Sequence, residues 1–321
     1  MEQHRILNYY IPVELNKGVF AMPSYIQDFT NKKNKEGIKV IVYAVNGSTA
    51  MKVTWEEINF LAFEYSKFKY NTYHIENYNL MYVNYVPNHT FTNDDAALLV
   101  LLGRLHYNWF NPLQTWFLND YVKTIVPMLH KERSTSVVYP DKEDIFKAFK
   151  TDINSVKLVF IGEDPYPAGN HATGLAFATK QPTKPKSLQL IENAIKKDYP
   201  QLNSDEITLE KSLEDWTKRG ILLLNSSLTV KENVPNSHFE LWKIFIGYSI
   251  KLLNSKNKRI VFVLLGDKAK HFKNIINEEK HIVIEREHPL TAVQNSREWD
   301  YKNLFLEIDK NLNIKINWLN I

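Results

Sequence analysis

The chain has 321 residues, 44% of them hydrophobic and 24% charged, with a formal net charge of +4. That length admits one large domain or two of ordinary size, and the composition is globular. There is no cysteine, which excludes disulfides, thiolate metal sites and a cysteine nucleophile.

The opening stretch, MEQHRILNYYIPVELNKG, lacks the continuous apolar core of a secretory signal, and no apolar run is long enough to span a bilayer. A cytoplasmic, intracellular protein without a membrane partner is expected. Charge is unevenly spread. Residues 1–103 hold 9 Lys and Arg against 10 Asp and Glu, and the remainder holds 31 against 26. A mildly basic second half suits a polyanion partner, although a lysine-rich solvated surface gives the same count.

The first hundred residues read as a separate α+β unit. Ile38–Val45, IKVIVYAV, has strand composition and runs into the turn signal Asn46-Gly47. Thr54-Trp-Glu-Glu57 has a capping-box pattern and predicts a helix from Trp55 to Phe68. Asn79–Val86 is a second strand candidate. His4, His74 and His89 are scattered and form no ligand set.

From Ala96 the pattern changes. Helices are expected at Ala96–Tyr107, Pro112–Lys131 and Asp141–Phe149. Four apolar strands follow at Val156–Gly162, Gly220–Asn225, Arg259–Gly266 and His281–Glu287. Helical stretches separate them at Ser187–Lys197, Ser212–Lys218, Phe239–Leu253 and Lys268–Glu278. Ile-, Val- and Leu-rich strands alternating with helices predict an α/β fold: a four-stranded parallel sheet flanked by helices, spanning 96–321 and preceded by a small domain at 1–95.

The polar signals sit at the strand ends. The first strand runs into Glu163-Asp164-Pro165-Tyr166, the second into Asn225-Ser226-Ser227, the third into Gly266-Asp267 and the fourth into His288-Pro289-Leu290. Open α/β sheets bind ligands outside the carboxyl ends of their strands. Four such signals at successive strand ends therefore predict one convergent site. Taken singly they are weaker: an Asn closing a strand, or an Asp before a proline, is more often a turn residue.

This ordered set resembles the family 1 uracil-DNA glycosylases. GEDPYP is similar to the family's water-activating motif, and GLAFA matches its stacking-phenylalanine segment. PTKPKS looks like its proline-rich DNA-backbone loop, and GILLLNSSLTV its uracil-recognition strand. VFVLLGDKA and EHPL resemble its last two loops. The resemblance covers roughly 103–321. It implies hydrolysis of the bond between uracil and deoxyribose in DNA, on a base that is flipped out or already unpaired. Neither metal nor cofactor is implied, and a monomer is expected.

Carried over residue by residue, the resemblance makes Asp164 the group that positions and activates water. His288 becomes the donor to the leaving base. Asn225 would read the uracil edge, because an amide accepts and donates at once. Phe177 would stack on the base, and Tyr166 would wall off a C5 methyl. Glu163 would complete the uracil pocket. Lys184, Pro185, Lys186, Ser187, Gly266, Asp267, Leu290 and Arg297 would touch DNA, with Ser187 also capping the next helix and Leu290 a wedge into the base stack.

Glu163, Pro167 and Asp267 depart from the family's Gln, His and Ser, and the fourth loop is shorter. Weaker DNA binding is the expected consequence. Two alternatives follow: a DNA-tethering or partner-binding module built on this fold, or an enzyme for another modified base. The near-neutral N-terminal part favours a protein contact over direct DNA binding.

Overall fold

The computed structural model describes residues 105–319 except Asp205, together with the backbone of six strands between Arg5 and Thr72. The chain divides into two compact units, Met1–Lys131 and Glu132–Ile321. In the first, Val19–Thr30 pairs antiparallel with Glu36–Asn46, which pairs with Thr49–Trp55, which pairs with Phe68–Thr72. The strand expected at 38–45 lies within Glu36–Asn46. The expected helix after Trp55, the strand at 79–86 and most of the helix at 96–107 fall outside the described residues. The helix expected from Pro112 starts earlier, at Tyr107, and its middle, Phe117–Ile125, is wound as a π-helix.

The second unit is built on four strands: β1 Leu158–Gly162, β2 Ile221–Asn225, β3 Val261–Leu265 and β4 Ile282–Arg286. All three pairings are parallel, in the order β4-β3-β1-β2. Every residue of β1, β2 and β3 is buried, whereas β4 buries only its central Ile284. That contrast fits sheet strands covered on both faces beside a partly open edge. Helices α1 Lys186–Asp198, α2 Glu214–Lys218, α3 Phe239–Asn254, α4 Asp267–Lys270, α5 Pro289–Gln294 and α6 Leu304–Leu312 complete it.

Aromatic packing holds the layers. Trp216 stacks on Phe160 of β1 with ring centres 5.8 Å apart, and Trp318 meets Trp216 and Phe305 edge-on at 5.1 and 4.9 Å. The indole of Trp216 donates to the Trp318 carbonyl at 3.1 Å, tying the C-terminal segment down. Burying each such ring contributes about 1.5–3 kcal/mol.

Two expected helices are shorter than the sequence suggests. Asp141–Phe149 forms two 3-10 turns, Lys142–Asp144 and Lys147–Lys150. Ile145, Phe146, Ala148 and Phe149 are all buried there, so packing overrides helical periodicity. Lys268–Glu278 is a single turn, α4, followed by a 3-10 turn at Lys273–Ile275.

Because the strands are parallel, Gly162, Asn225, Leu265 and Arg286 end on one edge of the sheet. The four polar segments that follow them emerge together.

Candidate active site

One cavity of about 150 Å³ opens at that edge. Asp164, Tyr166, Phe177, Asn225 and His288 all line it, with Glu163, Pro167, Ser187, Asn236 and Leu290 among their neighbours. It is smaller than the pockets that hold drug-sized ligands, roughly 300–1,000 Å³, and suits a single planar ring.

Asn225 closes β2 opposite Gly162 of β1 and is 5% exposed. A Cβ on Gly162 would stand 3.0 Å from Asn225 Oδ1 and 3.1 Å from Phe177 Cζ. The missing side chain lets the amide and the phenyl ring approach the strand. Phe177 is held at φ +66°, a left-handed conformation costly for a bulky residue. The neighbouring amide of Ala176 donates to the Leu223 carbonyl at 3.1 Å, and the Tyr166 hydroxyl donates to the Phe177 carbonyl at 2.9 Å.

His288 stacks against Phe177 with ring centres 5.8 Å apart and planes inclined by 25°. Its Nδ1 accepts the backbone N–H of Leu290 at 3.2 Å, so the neutral ring carries its proton on Nε2. Burial lowers the imidazole pKa to about 4, against the opposing pull of Glu287. The ring is therefore an uncharged donor at neutral pH.

Asp164 sits at the start of the turn after β1. Burial raises its pKa to about 6; the Asn236 N–H that donates to Oδ2 lowers it, the Glu163 charge raises it, and Lys268 lowers it. Oδ1 is buried and has no protein partner among the described residues. The carboxylate is thus ionised at neutral pH with one oxygen still open to a further donor.

Glu163 also lines the cavity, and its carboxylate lies against the start of α4. It accepts the backbone N–H groups of Asp267 and Lys268, while its carbonyl accepts Ser226 Oγ at 2.6 Å and the Ser227 N–H at 3.3 Å.

The sequence model of the uracil DNA glycosylase superfamily matches residues 148–312, just over half of the chain. The chain belongs to the uracil DNA glycosylase superfamily. The uracil-DNA glycosylase of Mycoplasmopsis pulmonis is 38% identical over 198 residues, 60% of this chain and 87% of the relative. That of Mesomycoplasma hyopneumoniae is 36% identical over 216 residues, 64% and 96%. That of Bacillus cereus (strain AH187) is 37% identical over 188 residues, 58% and 82%. The crystal structure of mimivirus uracil-DNA glycosylase shares the fold, with a TM-score of 0.58 and 22% identity over 66% of this chain and 85% of that one.

In this superfamily member the expected DNA-contacting residues are more dispersed than the pocket residues. Lys184 is ion-paired with Glu192 at 2.6 Å. Lys186 and Asp267 are exposed, and Gly266 and Asp267 form the turn after β3. Arg297 pairs with Glu287, whose carbonyl accepts the Trp299 indole at 2.9 Å. Leu290 is half-buried at the cavity rim. Ser187 does not cap α1. The helix begins at Lys186 with Pro185 at its N-cap, and the Ser187 hydroxyl is bonded to Tyr166.

Sequence reasoning missed the support beneath Asp164. Asn236 sits one turn before α3, and His238 at the N-cap bonds Glu132 at 2.6 Å and Thr229 at 2.8 Å. Thr229 also accepts the Trp242 indole at 2.7 Å. Only the local string Asn-Ser-His hinted at it. Among the described residues no cluster of His, Asp and Glu could hold a metal, and no helix is long and apolar enough to cross a membrane.

Proposed function

We propose that the protein hydrolyses the N-glycosidic bond of uracil in DNA, releasing free uracil and leaving an abasic site. The observation that carries this reading is the convergence of Asp164, Tyr166, Phe177, Asn225 and His288 on one ring-sized cavity. The family and the uracil-DNA glycosylase relatives agree with it.

The flipped uracil lies on Phe177, a stacking contact that contributes about 1–3 kcal/mol without choosing the base. Asn225 accepts from uracil N3–H and donates to O4. Cytosine reverses both groups and leaves a buried amide unpaired, at a cost of about 1–3 kcal/mol per group. Tyr166 occupies the space a C5 methyl would need.

As the C1′–N1 bond breaks, its electron pair leaves with the base and charge gathers on O2. Nε2–H of His288 donates to that oxygen as a preorganised neutral dipole. The Asp164 carboxylate stabilises the positive sugar and takes the proton of the water whose oxygen bonds to C1′. Every element of that step comes from the chain and water.

Residues 96–321 are proposed to act as a monomeric catalytic domain on uracil-containing DNA, and residues 1–95 as an accessory domain that contacts a protein partner. Incubation with uracil-containing single- and double-stranded oligonucleotides in chelator tests the activity. Free uracil and alkali-labile abasic sites are expected; intact glycosidic bonds with both substrates would overturn the assignment.

A further inference from the structure

Segment 182–186 leads to the rim of the cavity, because the next residue, Ser187, lines it. A strand whose base enters the cavity passes this rim. The segment carries two lysines in different settings. Lys186 is exposed. Lys184 is half-buried and donates its Nζ to Glu192 Oε2 at 2.6 Å. Glu192, on the second turn of α1, is only 9% exposed. Its other oxygen accepts the Leu209 N–H at 3.1 Å and lies 3.8 Å from Lys196 Nζ. The Lys184 carbonyl meanwhile accepts Gln189 Nε2 at 2.7 Å. Side chain and backbone of Lys184 are thus both tied to α1.

We infer that Glu192 is a positioning residue for DNA binding: by holding Lys184 inside the fold it sets the course of segment 182–186 and leaves Lys186 as that segment's cation for a phosphate. The inference rests on the glycosylase reading and deepens it, since it separates the lysine that meets DNA from the one that shapes the rim. The pair stays closed when DNA arrives. Drawing Lys184 out would strip a buried carboxylate of its closest counter-charge, which is strongly unfavourable, whereas an exposed contact to phosphate is screened by salt. Charge alone predicts the reverse for Glu192: deleting an anion near a polyanion should tighten binding. A positioning role predicts that deleting either partner, cation or anion, weakens it.

The test measures Kd against salt concentration for the full chain on a double-stranded oligonucleotide carrying 2′-fluoro-2′-deoxyuridine, whose fluorine slows loss of the base. Binding is read well below the melting temperature of every variant, so that lost stability alone leaves Kd unmoved. Glu192→Gln keeps an acceptor for the Leu209 amide, and Lys184→Met keeps the unbranched stem. Each is expected to raise Kd by about tenfold, roughly the loss of one phosphate contact. The double variant should bind no more weakly than the weaker single variant, because the two residues act as one unit. Lys184→Met should keep the wild-type salt slope, and Lys186→Ala should reduce it by about one. Tighter or unchanged binding by Glu192→Gln would overturn the inference. So would a slope reduced by about one in Lys184→Met, an unchanged slope in Lys186→Ala, or additive losses in the double variant. A wild-type chain that binds the duplex but releases no uracil from an unmodified one would defeat the glycosylase reading alone, since none of the binding measurements needs turnover.

Discussion

The carboxylate of Glu163 lies flush against Gly266: a Cβ on that glycine would stand 2.3 Å from Glu163 Oε1. With Gly266 at φ +94° and the carboxylate accepting the next two backbone amides, the end of β1 is strapped to the start of α4. The Glu expected to weaken phosphate binding thus has an internal partner. Gly266→Ala adds both a clash and a strained backbone, and is expected to cost about 1–3 kcal/mol. Uracil release should fall by roughly tenfold as the adjoining Asp164 turn shifts. Thermal melts and single-turnover assays check both; a variant with wild-type stability would remove the strap from consideration.

Asp164 is held in its functional form at a cost. Its folded pKa of about 6 lies above the ordinary 3.8, so the folded chain binds that proton more tightly than the unfolded one. The stability this contributes is complete below about pH 4 and is lost as pH rises through about 6. At neutral pH the charged, buried group costs about 2–3 kcal/mol. Asp164→Asn should therefore melt higher than wild type near pH 7.5 but not near pH 4, while uracil release falls by about a thousandfold or more. An equal melting difference at both pH values would contradict the burial account.

The two site pKa values predict the shape of the pH–rate curve. Release should rise with pH through about 6 as Asp164 ionises. His288, titrating near 4, should add no inflection between about pH 5 and 8. His288→Leu is expected to lower the rate by about 10²–10³ and leave the rising limb in place. A falling limb in the wild type that disappears in His288→Leu would identify the imidazole as a general acid.

Tyr166→Ala removes the wall itself. It is expected to release thymine from ordinary oligonucleotides at least about tenfold faster than wild type, while uracil release slows. The assay is thymine chromatography after long incubation. No gain of thymine would mean that another surface, such as Pro167 or Ala172, sets the C5 limit.

The pocket was legible in the sequence because Asp164, Tyr166, Asn225 and His288 each close a strand or lie within a few residues of one, while Phe177, in the long loop after β1, was read from the GLAFA string alone. Contiguous strings such as Ile161-Gly-Glu-Asp-Pro165 carry both the strand and its functional end. Parallel pairing then brings the ends together without further instruction. What escaped was long-range side-chain pairing. Nothing near Glu163 announces the amides of Asp267 and Lys268, and nothing near Asp164 announces Asn236. Ser187 shows local reasoning failing for a physical reason. A serine beside a helix start is a good cap, but its hydroxyl found a buried phenol 21 positions away in the chain, and Pro185 took the N-cap. The 3-10 turns at 142–150 were likewise decided by burial rather than by periodicity.

Phe177 keeps its ring where a base would lie only by accepting φ +66°. Glycine would relieve that backbone by about 1 kcal/mol or more and would erase the stacking face in the same step. The same ring is nearly buried and packs on His288, so its removal would cost about 3–5 kcal/mol, and pressure for heat resistance and pressure for turnover both hold phenylalanine at 177.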